Sequence, residues 1–235
     1  MRTAIWSILS GLSLLLGAAA PSGAQSASGP YPAPASLEVF RYADPAEEIA
    51  LARSAAPASI SGDAEILVLG RQGYETAVKG KNGFVCFVDR SWSKPFDDPE
   101  FWNPKVRAPQ CDNPQAVRTM MPIVRERTQW VMSGASMSEI AERTRKELAA
   151  DAMPKPVPGN MVYMMSKQGY IADAEHPHWH AHIMFYMPTK DGGSWGAGSK
   201  GAPVAQADDP SIAITTYFVL VPKWSDGTSA LMEMN

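Results

Sequence analysis

Residues 113–150, NPQAVRTMMPIVRERTQWVMSGASMSEIAERTRKELAA, decide the class of fold, because they form one long helical section between two groups of strand-like runs. Asn113 is placed as a cap and Pro114 occupies the first turn, where its missing N–H costs nothing. Val117, Met120, Met121 and Val124 keep a helical spacing that continues to Trp130 and Val131, and Pro122 kinks or divides the element. Gly134 is placed to end it. Ser136-Met137-Ser138-Glu139 is a capping box that opens a further helix to Ala150, with Ile140 and Leu148 inward and Arg143, Arg145, Lys146 and Glu147 on a solvated face. Pro154, Pro156 and Pro158 close the section.

Upstream, Glu65–Leu69, Tyr74–Lys79 and Phe84–Asp89 read as strands, separated by Arg71-Gln72-Gly73 and Lys81-Asn82-Gly83. Asn-Gly is a hairpin signal, so the pattern predicts an antiparallel meander. Phe84 to Val88 is apolar on both faces and belongs at the centre of a sheet. Ser91 to Asp112 has no periodicity and contains Pro95, Pro99, Pro104 and Pro109, yet it carries Trp92, Phe96, Phe101 and Trp102. A polar linker would not hold four large aromatics, so this is an ordered irregular loop whose rings enter the core. Earlier still, Asp44-Pro45-Ala46-Glu47 announces a short helix to Ser54, with Ile49 and Leu51 or Ala52 touching the body.

Downstream, Met161 to Ser166 is a strand that turns at Lys167–Tyr170. Thr189 to Ser211 is a long glycine-rich loop that can fold back over the strand before it. Ile212 to Val221 is a final β-branched strand, and Trp224–Gly227 is a turn. Strands, then helices, then strands make an α+β fold with a mostly antiparallel sheet and a central helical section.

Residues 1–24 have the form of a signal peptide: Arg2 precedes an apolar run from Ala4 to Ala20, and Ser22-Gly23-Ala24 offers small residues at the cleavage site. The run is about 17 residues long and half filled by small side chains, which argues for cleavage rather than a stable membrane anchor. Residues 25–36 read as a flexible leader and 37–235 as one α+β domain. A periplasmic or secreted location is expected. The formal net charge of the chain is −3 and becomes −4 once the segment with Arg2 is removed. That mild acidity, without a basic patch, excludes nucleic acid as an implied partner. Cys86 and Cys111 are expected to pair in an oxidising compartment, closing a loop of roughly 26 residues worth about 3–4 kcal/mol in the chain-entropy model.

All four histidines lie in His176-Pro177-His178-Trp179-His180-Ala181-His182. On a strand over 178–186, Trp179, Ala181, Ile183 and Phe185 share the core face, and His178, His180, His182, Met184 and Tyr186 share the other. Alternate histidines have Cα atoms about 6.6 Å apart, whereas His178 and His182 are about 13 Å apart, so one ion would take two neighbours. Asp173 and Glu175 are the nearest carboxylates, and His176 can turn in from the strand's entrance. This pattern leads to the expectation of a divalent or transition-metal site for Zn, Fe or Cu on His176, His178, His180 and His182. Glu175 and Tyr186 are the candidate catalytic groups for a metal-dependent hydrolase or oxygenase. The competing reading is a non-catalytic exported protein that binds a small-molecule ligand or a partner, with a structural histidine strand. His178-x-His180 resembles the His-x-His of cupin barrels, but this chain has Met184 and Phe185 where that pattern continues with glutamate. The helical section also interrupts a simple barrel, so no membership is assigned.

Overall fold

Strands β1 (Glu65–Leu69), β2 (Tyr74–Val78), β3 (Val85–Asp89), β4 (Ala108–Asp112), β5 (Val162–Met164), β6 (His182–Met187), β7 (Val204–Asp209) and β8 (Ile214–Leu220) line up in one sheet in the computed structural model, in the order β2-β1-β3-β4-β5-β6-β8-β7. Residues 29–34, 36–173, 180–188 and 192–230 are described. The fold class is α+β, as expected: α3 (Pro114–Thr119), α4 (Met121–Met132) and α5 (Met137–Ala149) interrupt the strands in sequence, after α1 (Pro45–Arg53) and α2 (Ala58–Ser61) and before α6 (Gly192–Trp195).

Helix starts obey the local chemistry. Asp44 accepts from the Ala46 N–H, Asn113 accepts from the Ala116 N–H, and Ser136 forms a complete capping box with Glu139. Pro122 does not kink a single helix; it sits in the first turn of α4, and the break falls at Met120. That is where a missing N–H does no harm.

The meander is corrected. β1 and β2 form the antiparallel hairpin, but β3 crosses to the other side of β1 and pairs with it in parallel. Asn82 explains the difference: its side chain accepts from the Phe84 N–H and donates to the Ile60 carbonyl, tying the segment to α2 instead of closing a two-residue turn. Gly83 at φ +79° completes the bend. β3 is central, as its apolar run predicts, and is buried on both faces. Cys86 and Val88 join Ile66 against Leu51 and Ala52 of α1, while Val85 and Phe87 join Leu67 against Met121, Val131 and Ile140 of α4 and α5.

Trp92, Phe101 and Trp102 are buried, so the aromatic loop packs inward as read. Its end, however, is strand β4, which sequence reasoning left as loop because of Pro109. That proline stands opposite Val88. The ladder from β4 to β5 covers only Cys111 and Asp112, so no neighbouring strand needs the N–H that Pro109 lacks. Cys86 and Cys111 face each other across β3 and β4 and are joined as a disulfide.

The stretch 189–211 is also corrected. It contains α6 and the edge strand β7, hairpinned to β8, with Ala213 at φ +56° in the connection. Residues 189–191 lie outside the described residues, as do the expected signal segment and residues 25–28 and 35 of the leader. Within that leader, Tyr31 packs against the larger core cluster and its hydroxyl donates to Asp173 at 2.8 Å.

Candidate functional site

The period-two reading of the histidine strand holds where residues are described. His180, His182, Met184 and Tyr186 all line one cleft, and β6 begins at His182 rather than at residue 178. His176, His178 and Glu175 lie outside the described residues. Ala181 is buried on the opposite face, while Phe185 is half-buried there, meeting Trp195 of α6 edge-on at 5.7 Å. Trp195 also stacks on Tyr217 at 4.6 Å, so α6 packs over the face opposite the imidazoles, whereas Ala207, Asp208 and Asp209 of β7 line the cleft together with His180 and His182.

The metal site is overturned. Among the described residues, no group of three or more His, Cys, Asp or Glu side chains converges to hold an ion. Of the donors assigned to it, His182 is engaged elsewhere. His182 Nδ1 is 2.8 Å from the His180 carbonyl oxygen and therefore carries the ring proton, and its ring meets Phe218 edge-on. Burial lowers the His182 pKa, so the imidazole is neutral. Asp173, the nearest described carboxylate in sequence, accepts from Tyr31, Tyr170, Asn103 and Lys105 instead. Tyr186 makes a poor proton donor, because burial raises its phenol pKa and the negative charges of Asp112 and Asp89 raise it further.

What the elements do assemble is a cleft of about 510 Å³ between the sheet and α4. Met164, Met184, Thr216 and Phe218 form much of the sheet wall, and Ile123, Val124 and Arg127 of α4 face them, with Met120 at its N-cap. The volume lies within the roughly 300–1,000 Å³ typical of small-molecule sites, which pair apolar walls with a few polar groups.

Those polar groups were not foreseen. Asp89, at the end of β3, accepts from the Arg90 N–H and the Ser93 hydroxyl, and burial raises its pKa. Arg127 is 3 % exposed. It donates through Nη1 to the carbonyls of Trp92 and Lys94, each at 3.2 Å, and its guanidinium lies 4.6 Å from the Phe96 ring centre. A signal for it existed: Arg127 falls four residues after Ile123 and four before Val131, on the stripe of α4 that faces inward.

Asp112, on the same sheet face, is 1 % exposed, and neither of its carboxyl oxygens has a hydrogen-bond partner among the described residues. Burial, aided by the negative charge of Asp89, pushes it well above the carboxylate range. Below the unfolded carboxyl pKa of about 3.9 both states hold the proton, and above it only the unfolded chain releases its proton, so stability falls as pH rises until the folded group ionises. Asp112→Asn stays neutral throughout. It is expected to exceed the parent in stability at pH 7 and to remove that part of the slope, Asp89 leaving a smaller remainder of the same sign. Urea unfolding at a series of pH values checks this, and an unchanged slope would refute it.

Comparison with known protein families, with characterised proteins and with solved structures finds no match for this chain.

Proposed function

We propose that this chain is a ligand-binding protein that takes a small, largely apolar molecule into the cleft between α4 and the sheet. The single observation that carries the reading is the cleft itself, about 510 Å³, whose apolar lining comes mainly from methionine, isoleucine, valine and phenylalanine side chains. Methionine suits that use, because its unbranched thioether adapts to different shapes at little cost. His182, neutral and edge-on to Phe218, serves as part of the wall with a lone-pair nitrogen rather than as a metal ligand.

A filling substitution tests the reading. Thr216 is half-buried on β8 and lines the cleft, and tryptophan is well tolerated on strands. The parent chain is expected to enhance the fluorescence of the neutral apolar dye phenylnaphthylamine, and Thr216→Trp is expected to fold and to abolish that enhancement. Equal enhancement in both proteins would place the dye elsewhere and overturn the reading.

We further assign the chain to an oxidising compartment outside the cytoplasm, periplasmic or secreted. The Cys86–Cys111 bond supports this, because a reducing cytosol keeps such thiols free. Among the described residues no helix is long and apolar enough to cross a membrane.

A further inference from the structure

We infer that the ligand of this cleft carries a carboxylate, held side-on by Arg127; the inference rests on the cleft being a ligand site. Several buried side-chain polar atoms lack a hydrogen-bond partner among the described residues, and of their residues only Arg127 lines the cleft. The two unpartnered nitrogens are Nε and Nη2. Their N–H bonds run parallel along one edge of the guanidinium plane, the edge that matches the two oxygens of a carboxylate. Leaving buried charged donors unmet is costly, so the arrangement calls for an acceptor there.

The guanidinium is also fixed in advance. Nη1 is anchored to the carbonyls of Trp92 and Lys94, and the ring of Phe96 packs against its plane. Little freedom remains to be lost on binding. The other cations of the cleft are engaged: Arg90 donates to Phe40, Val88 and Glu48, and Lys94 pairs with Asp98. Of the acids, Asp209 and Asp89 lie near enough to act on Arg127 through space without ion-pairing to it. Asp209 is turned to the N–H and hydroxyl of Ser211, and Asp89 to Arg90 N–H and Ser93. Among the described arginines and lysines of the cleft, Arg127 alone has unpartnered donors, which suits a single negative charge and favours a carboxylate over a phosphate monoester carrying about −1.5 to −2. With methionine and isoleucine around it, the rest of the ligand is an apolar body: an amphiphilic monocarboxylic acid.

Three probes with one body and different heads test this: decanoate, decanol and decyltrimethylammonium, each titrated against bound phenylnaphthylamine on the full chain. Decanoate is expected to displace the dye at a concentration at least about tenfold lower than decanol does, as a charge-assisted bidentate contact implies. Decyltrimethylammonium is expected to be the weakest. In Arg127→Gln the preference for decanoate over decanol disappears while decanol is unaffected, and Arg127→Lys, which keeps the charge but not the edge, loses most of it. Near-ultraviolet circular dichroism controls for folding, and if neither variant folds the head-group ranking on the parent chain decides alone. Equal displacement by decanoate and decanol, a ranking led by the ammonium, or a preference that survives Arg127→Gln overturns the carboxylate. In those cases dye binding that is lost in Thr216→Trp leaves the cleft reading standing. No binding of dye or of any probe to the parent chain removes both.

Discussion

Glu48→Ala is expected to destabilise the chain by about 3–5 kcal/mol, because it strands a buried guanidinium without its counter-ion. Glu48 is 1 % exposed and its Oε1 lies 2.8 Å from Arg90 Nη2, with the Leu69 N–H donating to the same oxygen at 3.2 Å. Arg90 is equally enclosed, its remaining nitrogens donating to Phe40 and Val88 carbonyls. The pair thus pins α1 to the ends of β1 and β3 at the cost of desolvating two charges. Arg90→Met alone should lose a comparable amount, by orphaning the Glu48 carboxylate and the Phe40 and Val88 carbonyls. Glu48→Leu combined with Arg90→Met should lose clearly less than the two single changes added, since apolar replacement removes both penalties together. Urea unfolding of the four proteins at pH 7 reads the cycle. Strict additivity, or single losses below about 1 kcal/mol, would contradict the account.

The second large effect belongs to the disulfide. Cys86 and Cys111 are fully buried and lie 25 residues apart in sequence, so Cys86→Ala with Cys111→Ala is expected to cost about 3 kcal/mol through the freer unfolded chain. The chain recovered from its native cell without reductant should show neither thiol free on titration. Free thiols would overturn the proposed compartment, and an unchanged unfolding midpoint for the double variant would overturn the energetic argument.

How much of this was legible beforehand follows the range of the interactions. Helices announced by caps were readable from residues next to one another: Asp44, Asn113 and Ser136 each act within three positions. Burial of Phe84–Val88 and of the aromatic loop followed from side-chain size and apolarity alone. The order of β1, β2 and β3 was not readable, because Asn82 found its partner at Ile60, across the gap to α2, rather than in its own turn. β4 was hidden by a proline that only the shortness of β5 makes harmless. Glu48 was invisible for the same kind of reason, its partner lying 42 residues away. At the site, alternation placed His180, His182, Met184 and Tyr186 on one wall correctly, but their chemistry was misjudged. Imidazole ligates metals only when other donors converge, and convergence is set by the sheet's neighbours rather than by the strand's own sequence. Arg127 is the converse case, a lone charge on an inward stripe whose role becomes visible only when the facing sheet is in place.

The two-pair ladder between β4 and β5 also divides the floor of the cleft. Ala108 and Gln110 lie to one side of that join, while Met164, Met184 and Phe218 lie to the other. The disulfide clasps β3 to β4 just before the join and does nothing across it. A ligand of the proposed kind that rested on both banks would bridge them, making occupancy and the coherence of the sheet one equilibrium, tightened from either end.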